Sequence, residues 1–194
     1  MDDFNKNLFD AIENNNEEYF ENFNTHNLKF INFKLFEKEF NNQWYNYIKG
    51  LYYDIILINY EKSIYYYQLS NNKLSLFRMA LFYYPKNNKY AIYYFELALN
   101  KGYEPKCIML QIIGECYYWI HNYDNAIYYY ELALNSGLNT IYYIFICYIK
   151  LKKYEKTIYW LKKYQIDIKY ILHELNKFYE LRKYIFKKYF KLIK

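Results

Sequence analysis

Hydrophobic and polar positions alternate along most of the chain with the 3.6-residue period of an amphipathic helix. The clearest case lies between residues 123 and 136, where Ala126, Ile127, Tyr130 and Ala133 share one stripe. Small residues in such a stripe let a neighbouring helix come close. This pattern therefore predicts a helix that packs closely against its neighbour, with Tyr130 filling the space between successive helical pairs.

The stripe recurs because a whole segment of sequence recurs. NYDNAIYYYELALNSG begins at Asn122, NNKYAIYYFELALNKG at Asn87 and NYEKSIYYYQLS at Asn59, and a looser copy, KKYEKTIYWLKKY, begins at Lys152. The equivalent stripes are Ala91, Ile92, Phe95 and Ala98, then Ser63, Ile64, Tyr67 and Ser70, then Thr157, Ile158, Leu161 and Tyr164. Spacings of 28 to 35 residues between copies are typical of helical repeat arrays.

Each copy predicts the second helix of a helix–turn–helix hairpin. These second helices are expected at residues 60–69, 89–101, 123–136 and 154–164, and first helices at about 43–53, 73–84, 105–121 and 140–151. Pro85 stops one first helix, and Pro105 is a favourable first residue for the next. Gly102 and Gly137 each follow a long second helix, where a left-handed residue ends it. Gly50 and Gly114 lie inside first helices, where a missing side chain permits close approach.

The stretch from Cys107 to Thr140 resembles the tetratricopeptide (TPR) repeat, a helix–turn–helix unit. The residues that carry this resemblance are Leu110, Ile113, Gly114, Tyr117, Ala126, Tyr130 and Ala133. The glycines that close YYFELALNKG and YYYELALNSG also look like the Sel-one-like subclass of this superfamily. Leu138 replaces the usual proline, and Cys116 and Cys147 take positions that the family gives to small buried residues.

The resemblance covers about residues 43–165 and implies an all-α fold, a right-handed α-solenoid of about four hairpins. We expect residues 1–42 to form an N-terminal helical cap and residues 166–194 a basic C-terminal capping helix or helices. In the first cap, Phe4, Leu8 and Ile12 predict a helix that the following asparagines interrupt. In the second, an apolar stripe from Ile168 to Tyr189 has lysines on its other side.

Phe30, Phe33 and Phe36 fit one face of a further helix in the N-terminal cap, although its asparagine-rich flanks leave the boundaries open.

Aromatic residues make up 25% of the chain and include 31 tyrosines, whereas arginine occurs only at Arg78 and Arg182. Tyr, Phe, Ile, Asn and Lys share A/T-rich codons, so an A/T-rich genome explains this composition. The alternative is an aromatic surface selected for binding. The sequence favours the first explanation because the bias is spread over the whole chain.

Charge is distributed unevenly. Residues 1–24 carry seven acids and one lysine, whereas residues 150–194 carry fourteen bases and four acids. Polar outer faces on terminal helices explain this asymmetry. The alternative is salt-sensitive, non-specific nucleic-acid binding by lysines interleaved with tyrosines, and membrane-surface binding is a weaker third option. The residues in question are Lys162, Lys163, Lys183, Lys187 and Lys188 with Tyr164, Tyr184 and Tyr189.

The sequence contains no recognisable catalytic or metal-binding motif. HxxxH, HExxH, CxxC, GxSxG and a glycine-rich phosphate loop do not occur. We therefore expect no enzyme activity, no metal and no cofactor. Three cysteines without a paired spacing, and no signal-peptide pattern, favour the reducing cytoplasm. The longest apolar run, residues 141–149, is too short to span a bilayer.

The resemblance implies a function in protein–protein interaction, as an adaptor or scaffold, through a concave face lined mainly by first helices. The corresponding positions are Tyr83, Ile108, Gln111, Glu115, Tyr118, Trp119, Tyr142, Ile146, Ile149 and Lys150. Their apolar and aromatic character predicts an extended peptide or amphipathic helix as the partner. The alternative is that several of them pack against the terminal helices. Because an acid, Glu115, stands at one of the positions that clamp a peptide carboxylate in some TPR domains, that activity is not expected.

Overall fold

A computed structural model describes residues 3–35 and 42–164 of the chain. Within these two ranges the chain is helical and contains no strand, which confirms the all-α prediction. The α-helices are α1 (Asp3–Glu13), α2 (Glu17–Glu21), α3 (Gln43–Leu51), α4 (Tyr60–Ser70), α5 (Lys73–Tyr83), α6 (Asn88–Asn100), α7 (Lys106–Trp119), α8 (Tyr123–Asn135), α9 (Ile141–Lys150) and α10 (Tyr154–Lys163). Two 3-10 helices, Thr25–Phe30 and Phe33–Leu35, precede α3, and a π-helical turn, Tyr52–Ile56, follows it.

The described residues divide into two compact units, one ending at Glu104 and the other beginning at Pro105. The first unit contains α1 to α6. Its core joins α1, the 3-10 segment and α3, with Leu8, Ile12 and Leu28 almost fully buried. Phe20 of α2 stacks on Trp44 of α3 with 4.6 Å between ring centroids. The second unit contains α7 to α10, with a core formed by α8, α9 and Trp160 of α10.

The N-terminal segment follows the sequence prediction in part. The helix through Leu8 and Ile12 is confirmed, and the asparagines that follow it end it, since Asn15 has a φ of +52° and Asn16 caps α2. One continuous helix through Phe30 and Phe33 does not form. Instead two short 3-10 helices flank Asn32, whose side chain accepts a hydrogen bond from the Lys34 backbone N–H. Phe36, which was expected on the same face, lies outside the described residues.

The four predicted hairpins are present as the neighbouring pairs α3/α4, α5/α6, α7/α8 and α9/α10. The predicted second helices match α4, α6, α8 and α10 to within one or two residues. The first hairpin differs from prediction at its turn, because Tyr52 and Tyr53 belong to the π-helical turn rather than to α3. Pro105 precedes α7 as its N-cap instead of occupying its first turn.

Asparagine begins most of these helices. A side-chain oxygen of the N-cap residue accepts a hydrogen bond from a backbone N–H of the first turn, which satisfies a donor that the helix itself leaves unpaired. The asparagines with this bond are Asn16, Asn42, Asn59, Asn72, Asn87 and Asn122. The Asn that opens three copies of the repeated segment is therefore a capping residue. In the last copy Lys153 stands there and makes no side-chain cap bond.

The second helices α6 and α8 end in the same way. Gly102 and Gly137 have φ values of +79° and +94°. The residue after each glycine donates its backbone N–H to the carbonyl oxygen of Ala98 or Ala133, at 3.0 Å in both cases. This bond closes the helix through a left-handed residue, and it confirms the predicted role of both glycines.

Gly50 and Gly114 provide space for a tyrosine ring. A methyl group added at Gly114 would lie 2.7 Å from Cε1 of Tyr130, and one added at Gly50 would overlap the ring of Tyr67. Both rings are almost fully buried. The predicted close approach at these two glycines is confirmed. In α3/α4 and in α7/α8, the group that packs against the glycine is the tyrosine ring of the second helix.

Candidate functional site

The residues predicted to bind a partner are distributed over both units. Nine of them lie on α7 and α9 of the second unit, and we call the surface that they mark the α7–α9 face. Its members are Ile108, Gln111, Glu115, Tyr118 and Trp119 on α7, and Tyr142, Ile146, Ile149 and Lys150 on α9. Tyr83 belongs to the first unit, where it is half-buried and stacks on Tyr94 with 5.6 Å between ring centroids.

Three large apolar side chains of the α7–α9 face are open to solvent. Trp119 is 60% exposed, Ile108 51% and Tyr142 47%. Large apolar residues rarely stay this accessible in groups, because their burial is the main favourable contribution to folding. A tryptophan with most of its surface in water is therefore the feature of this face that most needs a partner.

Tyr118, near the end of α7, packs against the core of the second unit. Its ring makes edge contacts with Trp119 and Tyr123, with centroids 5.6 and 5.5 Å apart. Burial raises the pKa of Tyr118, and the neighbouring Tyr123, Cys147 and Tyr142 raise it further. Because Tyr142 acts on the Tyr118 hydroxyl, the two predicted site tyrosines, one from each helix, lie in the same neighbourhood.

A polar pair lies further along α7. Gln111 donates from Nε2 to Oε1 of Glu115 at 2.8 Å, one helical turn apart, and both side chains are half-buried. The carboxylate of Glu115 is also among the groups that raise the pKa of Tyr130, after burial and Cys147. The face therefore presents apolar rings beside one oriented acidic group.

Not every predicted position offers surface to a partner. Ile149 is only 6% exposed and Ile146 is half-buried, whereas Lys150 is exposed at the end of α9. Ile149 therefore contributes to the packing of the second unit rather than to its surface. Its neighbours on α9, Tyr148 and Cys147, belong to the core of that unit.

The residues expected to pack the repeats are mostly buried. Gly114, Ala91, Phe95, Ala98, Ala126, Tyr130 and Ala133 are buried, and Tyr117 is half-buried. Tyr117 stacks on Tyr129 with 5.4 Å between ring centroids, as Tyr53 stacks on Tyr66 and Tyr83 on Tyr94. Three hairpins therefore share one arrangement, in which a first-helix or turn tyrosine lies flat on a second-helix tyrosine.

Two cysteines of the second unit are buried, and a histidine lies in the turn after α7. Cys116 and Cys147 are buried, and burial is the first cause that raises the pKa of each thiol to about 12. Such thiols stay protonated at neutral pH and are poor nucleophiles. His121 has a φ of +61° in the turn after α7, and its Nδ1 lies 2.9 Å from the Tyr123 hydroxyl. In residues 3–35 and 42–164 no group of His, Cys, Asp and Glu is placed to hold a metal.

Of the residues considered for nucleic-acid binding, the structure describes only Lys162, Lys163 and Tyr164. Lys163 places its ammonium 5.3 Å from the centroids of both Trp160 and Tyr164, and these two rings stack on each other. Tyr164 is half-buried, and its ring is occupied within the chain. The other members, Lys183, Lys187, Lys188, Tyr184 and Tyr189, lie outside the described residues.

Sequence reasoning missed a second cluster, in the first unit. Asp54 in the π-helical turn accepts a hydrogen bond from the Tyr67 hydroxyl at 3.1 Å, and Arg78 on α5 hydrogen-bonds the Tyr47 hydroxyl. Both charged residues line a cavity together with aromatic side chains. The signal in the sequence was the rarity of arginine, since Arg78 is one of only two arginines in a lysine-rich chain.

None of the described helices combines the length and the apolar character that crossing a membrane requires. A scan against protein-family models finds no match to the chain, and a search of curated proteins finds none either.

Proposed function

We propose that the chain is a non-catalytic protein-interaction module, an adaptor or scaffold of the TPR-like α-solenoid kind. Its partner would be an apolar peptide or amphipathic helix that binds the α7–α9 face. The observation that carries the proposal is the exposure of Trp119, 60% accessible beside the half-buried Tyr118. Trp and Tyr at the centre of a surface are the residues most often found to dominate binding energy.

The chemistry of the face favours a partner with apolar anchors and a basic or hydrogen-bonding residue between them. Ile108 and Trp119 lie about three turns apart on α7, a separation that suits anchors about three turns apart on a bound helix. Glu115 lies between them, oriented by Gln111. A carboxylate at this position opposes an acidic partner and favours a lysine or arginine.

The proposal is tested by capture from a lysate of the native host at low and at high salt. Wild-type protein should retain a small set of proteins at high salt, because apolar anchoring is little screened. Trp119→Ala with Tyr118→Ala should lose them. The matched control is Tyr128→Ala, which removes a tyrosine of α8 that is 56% exposed and belongs to no predicted binding position.

Two outcomes would contradict the proposal. Equal retention by the Trp119→Ala, Tyr118→Ala protein would show that the α7–α9 face is not the binding surface. Recovery of nucleic acid at low salt but not at high salt, with no protein retained, would instead indicate nucleic-acid binding by the basic residues. Phosphate contacts weaken steeply as salt rises. Helical content by circular dichroism checks that each variant is folded.

A further inference from the structure

A cavity of about 270 Å³ lies in the first unit, apart from the α7–α9 face. Its lining is Asp54, Tyr60, Arg78, Leu81, Phe82, Tyr84 and Lys86. Three segments supply these residues: the π-helical turn with the start of α4, the second half of α5, and the loop after α5. The volume is just below the range of about 300–1,000 Å³ that ligand pockets occupy, so the cavity suits a small ligand or a single side chain.

Two of the charged residues that line the cavity are held by buried tyrosines. They are Arg78 on α5 and Asp54 in the π-helical turn. Arg78 hydrogen-bonds the hydroxyl of Tyr47, and Asp54 accepts from the hydroxyl of Tyr67 at 3.1 Å. Tyr47 is 6% exposed and Tyr67 2%. Each tyrosine hydroxyl also responds electrostatically to both Asp54 and Arg78, which places the four groups close together. A charged group fixed by buried partners loses little freedom when it binds a ligand.

The remaining wall is apolar and carries a second cation. Tyr60 and Phe82 pack with 5.6 Å between ring centroids, and Leu81 and Tyr84 complete the wall. Lys86 holds its ammonium 5.2 Å from the centroid of Phe82, at an exposed position. Two cations against one carboxylate give the lining a formal net charge of +1.

The segment that forms one wall has an unusual backbone. The π-helical turn contains Asp54, and Ile58, just after the turn, has a φ of +51°. A β-branched residue in the left-handed region is strained, and π-helical turns occur often at functional sites. Ile58 is also 65% exposed, so burial of its side chain does not compensate the strain. The strained residue Ile58 lies between Asp54 and Tyr60 in the chain, and both of these residues line the cavity.

We propose that this cavity binds a small monoanionic carboxylate carried on an apolar or aromatic body. The planar guanidinium of Arg78 matches a carboxylate in two-point geometry, and Lys86 adds a second positive charge at the rim. Tyr60, Leu81 and Phe82 contact the apolar body. Asp54 selects against a doubly charged phosphate, since a like charge in the same cavity repels the second negative charge. This site shares no residue with the α7–α9 face, so the experiments on one proposal do not test the other.

The test is a ligand-observed NMR titration of the full chain with three probes of similar shape: 3-phenylpropionate, 3-phenylpropan-1-ol and phenyl phosphate. The carboxylate should bind about tenfold more tightly than the neutral alcohol, because charge-assisted hydrogen bonds are about twice as strong as neutral ones. It should also bind more tightly than the phosphate. Arg78→Lys keeps the charge but removes the planar fork, and it should weaken carboxylate binding about tenfold.

Lys89→Gln is the matched control, because Lys89 is an exposed lysine of α6 outside the lining and its loss should leave the affinity unchanged. If Arg78→Lys fails to fold, Lys86→Gln becomes the deciding variant. Loss of this rim charge should weaken the affinity for 3-phenylpropionate about twofold to threefold. Equal affinity for carboxylate and alcohol would overturn the proposal. So would tighter binding of phenyl phosphate, or unchanged affinity in the deciding variant.

Discussion

The hairpins α3/α4 and α7/α8 pack alike and differ in their polar contacts. In both, a buried tyrosine ring of the second helix lies on a glycine of the first, Tyr67 on Gly50 and Tyr130 on Gly114. The Tyr67 hydroxyl donates to Asp54 in the π-helical turn. Tyr130 instead accepts a hydrogen bond at its backbone carbonyl from Oγ1 of buried Thr140.

This difference shows which features the repetition maintains. Ring-on-glycine packing occurs in two of the four hairpins, where the glycine and the tyrosine are both present, whereas α5 and α9 contain no glycine. The polar partners are single residues outside those positions, and each hairpin has its own. In the first unit Asp54 and Arg78 line a charged cavity, whereas in the second unit the α7–α9 face carries the exposed Trp119.

The largest effect is expected where the repeated packing is broken by a charge. Ala126 is 0% exposed on α8, so Ala126→Glu would bury a carboxylate in a close helix contact. We expect a loss of about 4 kcal/mol or more, enough to unfold the α7/α8 hairpin. Urea unfolding followed by circular dichroism measures it. Asn125→Glu, at an exposed neighbouring position, should be near neutral, and wild-type stability of Ala126→Glu would refute the packing.

A smaller loss is expected when a methyl group enters the glycine contact. Gly114→Ala and Gly50→Ala should each cost up to about 2 kcal/mol, because a helix-propensity gain of about 1 kcal/mol offsets part of an overpacking cost of about 1–3 kcal/mol. Tyr130→Leu should relieve the Gly114→Ala clash, so the double variant should lose less than the sum of the single changes. Strict additivity, measured by denaturant unfolding, would show that ring and glycine are not in contact.

The hydroxyl contact is specific to the first hairpin. Tyr67→Phe removes the hydrogen bond to Asp54 and should cost about 1–2 kcal/mol. In an Asp54→Ala background Tyr67→Phe should be nearly neutral, because the side-chain acceptor is then gone. The control Tyr65→Phe, on an exposed ring of the same helix, should change stability by less than about 0.5 kcal/mol. A Tyr67→Phe protein as stable as wild type would contradict a stabilising hydrogen bond between Tyr67 and Asp54.

The last effect, which is absent at neutral pH, is a pH dependence that both hairpins share. Burial raises the pKa of Tyr67 and of Tyr130 above the ordinary value of 10.0. The folded protein therefore holds these protons where the unfolded chain releases them, so stability is constant below pH about 10 and falls above it. The slope is about 1.4 kcal/mol per pH unit for each tyrosine. Alkaline unfolding that coincides with late phenolate absorbance confirms this, and full ionisation of all tyrosines in the folded state contradicts it.

The sequence was sufficient for the helices and their packing because those features repeat. Ala126, Tyr130 and Gly114 each have counterparts elsewhere in the chain, and a recurring pattern identifies them. The capping role of Asn59, Asn87 and Asn122 was not predicted, although Asn opens each of these copies and is a favoured N-cap residue.

The candidate sites were less predictable, for a physical reason. The cavity depends on Asp54 and Arg78, which are 24 positions apart, and Asp54 lies in the π-helical turn that follows α3. Helical periodicity extends a regular helix through Tyr52 and Tyr53 and contains no signal for that turn. Likewise, helical spacing placed Ile149 on the same stripe as exposed positions, but packing against the unit's core decided its burial.

Site-specific photo-cross-linking tests the central functional claim most directly. A photoreactive phenylalanine analogue replaces Trp119 in one protein and Tyr128 in another, two aromatic positions of the second unit with similar exposure, 60% and 56%. On irradiation in native host lysate, the account predicts that position 119 forms a discrete set of protein adducts that persist at high salt and that position 128 does not. Equal adducts at both positions, or adducts only at position 128, would contradict the assignment of the α7–α9 face as the interaction surface.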